Sequence, residues 1–287
     1  LSVVCFVPKR AMMRPCTEFL RGGGLDVTMM TLVYKTVGDA RLRLNIWLPA
    51  HSGEGRPAVA VFYHGGGWFA GSPTQFQPQA QRLSGQGVLS VAVEYRTQGP
   101  IVASEDAVDA MNYIFEHASS LQADAGRIAA VGGSAGGQLA LATAVLDLPN
   151  TNPAYRPSAL ILLNPVTDTT GEFPDGFGRR LFDTDEQALM YSPTHHVSVR
   201  TPPCMIMHGT DDKTVSIRDS TRFAGRVADC GGRAQLIPYE GQAHAFFNAR
   251  ADSENPYFDQ TTQAMEQFLQ SLGYLPDDRS MIEPNHS

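Results

Sequence analysis

The chain has 287 residues, 43% of them hydrophobic and 18% charged, with a net charge of −7. This length and composition fit one large α/β domain, and the acidic balance supplies no field for holding nucleic acid. No apolar run nears the roughly 18 residues of a membrane span.

Four cysteines, Cys5, Cys16, Cys204 and Cys230, have neither the density of a disulfide scaffold nor the C-x-x-C spacing of a zinc site. Cys204 sits in the apolar run CMIM and reads as a small hydrophobe. Spacing alone leaves open whether Cys5 and Cys16 pair. The opening stretch LSVVCFVP carries its basic residues after it rather than before, so the compartment stays open between cytoplasmic and secreted or periplasmic.

Residues 1–24, ending in Gly22-Gly23-Gly24, lack periodicity and read as an irregular arm ahead of one domain spanning 25–287. DVTMMTLVYKTV and ARLRLNIWLPA are strand-like segments separated by Gly38-Asp39, an antiparallel hairpin pattern. PAVAVFYH is a continuous apolar run, the form of a strand buried on both faces. Helix and strand then alternate. A helix near Gln75 to Ser84 leads to VLSVAVEY, then a helix over Ser104 to His117, then RIAAVGG and the helix QLALATAVLDL. After ALILLNP the pattern lapses over residues 166–203, which read as a cap insertion, with Phe173, Phe177 and Tyr191 as candidate substrate selectors. Alternation resumes with CMIMHG, a helix through SIRDSTRFAGRVADCG, the strand AQLIPY and a helix over Gln260 to Ser271. The expected fold is a mostly parallel, doubly wound sheet flanked by helices, with its chemistry beyond the carboxyl ends of the strands.

Gly132-Gly133-Ser134-Ala135-Gly136 fits G-x-S-x-G between a strand-like and a helix-like run, the context of a nucleophile elbow. Small residues on either side let the chain bend without Cβ clashes. A second glycine run, His64-Gly65-Gly66-Gly67-Trp68, follows VAVFY. Gly65-x-Gly67-x-x-Ala70 formally matches a dinucleotide fingerprint, with Glu94 as its acid, but Gly71-Ser72-Pro73 breaks the helix that fingerprint needs. The better reading is an H-G-G-G loop in which the amides of Gly66 and Gly67, with that of Ala135, hold an oxyanion while His64 braces the loop.

A nucleophile on this fold is followed by an acid and then a histidine. His51, His64 and His117 come too early, His195 and His196 lie in the insertion, His208 precedes the acid and His286 lies in the tail. His244 remains, in YEGQAHAFF. Asp211 and Asp212 both follow the strand CMIMHG, their side chains diverging on extended backbone. A metal set of His208, Asp211, Asp212 and His244 lacks any H-E-x-x-H signature, and no metal or other cofactor is expected.

Together HGGGW, VGGSAGGQLA, HGTDDKTV and YEGQAHAFF, with VEYR and the EDAVDAMNYI helix, resemble the α/β-hydrolase superfamily over Leu42 to Leu272. The likeness is to its H-G-G-G carboxylesterases, near the hormone-sensitive-lipase-like group and the carbohydrate-esterase-like branch. The D-x-x-V spacing of these hydrolases assigns the acid to Asp212, before Val215, and leaves Asp211 a solvated neighbour. Two departures, the second glycine before Ser134 where an acid is common and Glu94 where Asp is common, point toward small-ester or sugar-ester substrates.

The resemblance implies that His244 takes the Ser134 proton, that Asp212 orients the imidazole, and that an acyl-enzyme forms on a small-molecule ester. Trp68 and Phe246 are assigned to the substrate pocket, with core packing equally open for Phe246 and Phe247. Arg96 is expected to pair with Asp106 or Asp109. The rival readings are a non-catalytic ligand-binding receptor on the same fold, and a serine peptidase. Acyl length, leaving alcohol and oligomeric state carry no sequence signal.

Overall fold

The computed structural model describes residues 16–22, 25–49, 55–171, 178–250 and 253–275, with side chains from residue 28 onward. Residues 1–15 and Cys5 lie outside it. Strands β1 (Cys16–Gly22), β2 (Leu25–Val37) and β3 (Ala40–Trp47) precede the alternating part of the chain. That part runs β4 (Val59–Tyr63), α1 (Gln77–Gly85), β5 (Leu89–Val93), α2 (Pro100–His117), β6 (Ile128–Gly133), α3 (Ala135–Val145) and β7 (Ala159–Leu163). It continues through α4 (Asp185–Met190), β8 (Cys204–Gly209), α5 (Ile217–Asp229), β9 (Ala234–Tyr239) and α6 (Pro256–Ser271).

The strands form one nine-stranded sheet in the order β1-β2-β3-β5-β4-β6-β7-β8-β9. Pairing is antiparallel from β1 through to β5 and parallel from β5 to β9. From β4 the chain winds out to β5 and then crosses back to β6 on the other side. The winding direction therefore reverses at β4 and β6, whose carboxyl ends open a crevice.

Every residue of β4, β5, β6, β7 and β8 is buried, which requires both sheet faces to be covered. Successive side chains divide between two cores. Val61 and Val91 pack with Met111, Leu139 and Phe223 on the side of α2, α3 and α5, while Phe62 and Ala92 pack with Leu83, Met265 and Leu269 under α1 and α6. Each fully buried large apolar side chain of this kind contributes roughly 1.5–3 kcal/mol. Helix α3 is buried all round because it lies between the sheet and α2. Its small residues permit this, and a Cβ on Gly136 would stand 2.0 Å from the Tyr63 carbonyl oxygen.

Several boundaries differ from the sequence reading. Cys16–Gly22 is an edge strand and not part of an irregular arm: the outer edge of β2 offers unpaired amides and carbonyls, and β1 takes them from Cys16 opposite Thr31 to Gly22 opposite Leu25. Helix α2 starts at Pro100 and α6 at Pro256, each four residues ahead of expectation. Proline preset for the first helical turn supports both starts, and the Asn255 side chain accepts the Tyr257 amide to cap α6.

The stretch of the insertion from Phe182 to Tyr191 packs to the side. Phe182, Ala188 and Tyr191 pack with Val108 of α2 and Ala142 of α3 in a separate apolar cluster. Phe173 and Phe177 fall outside the described residues. Among the described residues no helix is long and apolar enough to cross a membrane.

Arg96 meets Asp106 and not Asp109, through Nε and Nη2 at 2.7 Å each. Lys35 joins from β2, reaching Asp106 at 2.6 Å and Asp109 at 2.5 Å. Burial pushes the Asp106 carboxyl upward, but the hydrogen bonds from Arg96 and Lys35 outweigh it and hold the group below its ordinary value. This cluster locks the start of α2 to the sheet beside the crevice.

Candidate active site

Ser134 follows β6 and caps α3 with φ 56° and ψ −122°, a backbone region that costs a residue with a side chain about 1–3 kcal/mol. Neighbouring glycines make the turn possible. A Cβ on Gly132 would come within 2.0 Å of the Gly136 carbonyl oxygen, and one on Gly133 within 2.6 Å of the Phe247 ring. The Ser134 amide donates to the Leu163 carbonyl at 2.9 Å, and its carbonyl accepts from Gly137 and Val166. The side chain is thereby raised over the sheet edge, half-buried, at the head of α3.

The structure brings Ser134, His244 and Asp212 into one line. His244 Nε2 lies 2.9 Å from Ser134 Oγ, and His244 Nδ1 lies 2.6 Å from Asp212 Oδ2. A carboxylate only accepts, so Nδ1 carries the proton and Nε2 is left to accept from the serine hydroxyl. His244 reaches this position because the loop after β9 passes close over the end of β8. Gly209 allows it: a Cβ there would meet the Gln242 carbonyl oxygen at 2.1 Å.

Asp212 is held from every side. Oδ1 accepts the Thr214 and Val215 amides at 2.8 and 2.9 Å, and Oδ2 accepts Asn164 Nδ2 at 2.8 Å besides His244. His208 Nε2 stands 3.3 Å from the same oxygen and 3.0 Å from the Val215 carbonyl. Burial pushes the Asp212 carboxyl upward, yet the bonds from His208, His244 and Val215 outweigh it and keep the group far below the usual carboxylate range. A fixed negative charge thus sits behind the imidazole.

A cavity of about 510 Å³ opens in front of Ser134, lined by Gly65, Gly66, Gly67, Ala135, Trp68, Val166, Phe247, Gln75, Lys213, Thr214 and His244 among others. Gly66 and Gly67 have φ of 121° and 62°. The Gly65 amide is taken by Gln75 Oε1 at 2.7 Å, whereas those of Gly66, Gly67 and Ala135 meet no acceptor among the described residues. His64 lies behind the loop, stacked on Tyr95 with ring centroids 4.1 Å apart. It donates from Nδ1 to the Gly65 carbonyl at 2.7 Å, and burial lowers its basicity, so the ring acts as a neutral brace.

Trp68 lines the cavity, but Phe246 does not. Adjacent side chains diverge: Phe246 packs edge-on to Tyr257 and against Tyr239, and it is Phe247, stacked on Phe76, that reaches the wall. Tyr191 is buried away from the cavity, and His195 and His196 bond within the insertion to Ser192 and the Leu189 carbonyl. Asn164 escaped the sequence reading, and His208 and Gly209, though inside HGTDDKTV, were given no part in holding the triad. They stand at the ends of β7 and β8, where such a fold concentrates function.

Backbone strain gathers here too. Among the described residues the non-glycine positive φ angles belong to Trp68, Gln122, Ser134, Asn164 and Ala245, and all but Gln122 border the cavity or hold Asp212.

Residues 60–248 match the model of a family described as alpha/beta hydrolase fold. Among solved structures, esterase 2 of Thermogutta terrifontis phosphoramylated by tabun aligns with a TM-score of 0.79 at 34% identity, over 87% of this chain and 97% of that one. The propionate-bound form of that esterase gives 0.77 at 33% identity, over 86% and 96%. A probable isoprenylcysteine alpha-carbonyl methylesterase of Arabidopsis thaliana is 28% identical over 234 residues, 71% of this chain and 48% of that protein. The chain thus spans about half the length of that curated relative.

Proposed function

The chain belongs to the alpha/beta-hydrolase family, on its esterase side, and from that premise we propose that it hydrolyses short-chain carboxylic esters through an acyl-enzyme on Ser134. The carrying observation is the unbroken line Ser134 Oγ, His244, Asp212, with gaps of 2.9 and 2.6 Å, opening on a cavity of about 510 Å³.

His244 Nε2 removes the Ser134 proton as Oγ attacks the ester carbonyl, and Asp212 stabilises the imidazolium that forms. The carbonyl oxygen turns negative beside the amides of Gly66, Gly67 and Ala135, each such donor supplying about 3 kcal/mol to the transition state. His244 then returns the proton to the leaving alcohol. Water, activated by the same imidazole, releases the acid and restores the serine.

The cavity walls favour a short acyl group. Trp68, Val166, Ala135 and Phe247 give apolar contact, and Gln75 is already engaged with Gly65 and Asn248, which leaves few side chains to grip a sugar. A relative of the same fold holding propionate supports the same size range. Acyl esters of carbohydrates remain within the reading only with the sugar lying at the mouth.

Ser134→Ala should lower kcat on 4-nitrophenyl acetate by about 10⁴-fold or more, with circular dichroism unchanged. A fluorophosphonate should label the native protein once, on Ser134. A folded native protein that neither turns over the ester nor takes the label favours the receptor reading.

A further inference from the structure

Gln138 lies one turn past Ser134 on α3 and is fully buried, and its side chain bonds to none of Ser134, His244 and Asp212. Both ends of its amide are in use. Oε1 accepts from Trp68 Nε1 at 3.0 Å, while Nε2 donates to the Tyr191 carbonyl at 3.1 Å and to Ser104 Oγ at 3.2 Å. One side chain therefore joins the serine helix, α2, the residue that ends α4 in the insertion, and the tryptophan of the cavity wall.

Trp68 is the residue this arrangement constrains. It follows Gly67 directly, holds φ at 66°, and is only 1% exposed although it lines the cavity. A bulky residue in left-handed backbone persists only where its surroundings over-determine it. Displacing the indole would disturb the Trp68 backbone and shift the loop that precedes it, whose Gly67 lines the cavity with an amide that meets no acceptor among the described residues.

We infer that Gln138 is a positioning residue: through Trp68 it sets the Gly67 amide against Ser134, and through the Tyr191 carbonyl it ties that setting to the insertion. The inference rests on the serine-esterase reading and adds to it a route by which the part of the insertion at Tyr191, which does not line the cavity, governs turnover. Gln138→Met keeps length and burial but removes the hydrogen bonds to Trp68, Tyr191 and Ser104, leaving the Tyr191 carbonyl short of a donor. Trp68→Phe keeps an aromatic ring and removes the indole N–H.

The test is a double-mutant cycle on 4-nitrophenyl acetate and butyrate. Each single substitution should lower kcat by about tenfold or more, with KM within about twofold, as expected for a misplaced oxyanion donor. The double variant should be no worse than the poorer single. Independent, multiplying effects would show that Gln138 acts only on general stability and would overturn the assignment, as would an unchanged kcat in either folded single variant. Should Gln138→Met fail to fold, Trp68→Phe alone decides, since unaltered kcat there removes the link. Native protein that fails to label with a fluorophosphonate defeats the parent reading and this one together, whereas full labelling with no response to the substitutions defeats this one only.

Discussion

Asn164 and His244 donate to one and the same atom, Oδ2 of Asp212, at 2.8 and 2.6 Å. Asn164 is fully buried, at φ 46°, at the end of β7. It fixes the carboxylate plane so that the oxygen facing the imidazole does not swing. Asn164→Ala should reduce kcat by about tenfold, the equivalent of one hydrogen bond to a charged group, with KM little changed. Steady-state kinetics on a short ester check this, and an undiminished kcat would remove Asn164 from the machinery.

Two glycine substitutions should part company. Gly136→Ala drives a methyl to 2.0 Å from the Tyr63 carbonyl oxygen, between two backbones with no flexible side chain to yield. It should destabilise the fold by about 3 kcal/mol or prevent folding. Gly225, exposed within α5, has nothing within 4 Å of an added Cβ. Gly225→Ala should stabilise by about 0.5–1 kcal/mol, read as a higher urea midpoint.

The elbow and the glycine loop were legible in the sequence for a related reason. Their geometry is imposed by backbone approach within a few residues, so the constraint is written contiguously as Gly132 to Gly136 and Gly65 to Gly67. Buried parallel strands such as Val59–Tyr63 were equally legible, since burial on both faces demands an unbroken apolar run. Three features were not. The choice of Phe247 over Phe246 depends on the phase of a loop with no period. The strand at Cys16–Gly22 depends on an edge that β2 offers from elsewhere in the chain. Asn164 and Gln138 act through partners 48 and 70 residues distant, as Asp212 and Trp68 stand from them, and His208, though only 4 residues from Asp212 inside HGTDDKTV, carries no sign there of which way its ring turns.

Acid should weaken the fold through Asp106 and Asp212. Both are held below the unfolded carboxylate value of about 3.9. A depressed folded value means that the unfolded chain binds protons first, so their stabilisation is complete above that value and is lost as pH falls toward each folded value. The urea midpoint should stay level from pH 7 to about 5 and drop steeply below about 4. Asp106→Asn, which forfeits the ion pairs with Arg96 and Lys35, should be less stable at pH 7 and lose less on acidification. An Asp106→Asn curve parallel to the native one would refute the attribution.

Lys213 carries the formal charge on the cavity wall, exposed beside Thr214. An ester bearing a carboxylate on its outer portion should profit from it. Lys213→Glu should lower kcat/KM for a hemisuccinate ester relative to an acetate by about fivefold, matching an exposed pair of about 1 kcal/mol. An unchanged ratio between the two substrates would show that the ammonium points away from bound ester.

Trp68, Ser134, Asn164 and Ala245 all hold torsion angles that relax once the surrounding structure loosens. Heating should exploit that difference. The rim of the crevice gives way before the buried strands do, so catalytic competence is expected to fade at temperatures where the helices still register in circular dichroism. A covalent adduct on the serine would pin the rim and bring the two losses back together.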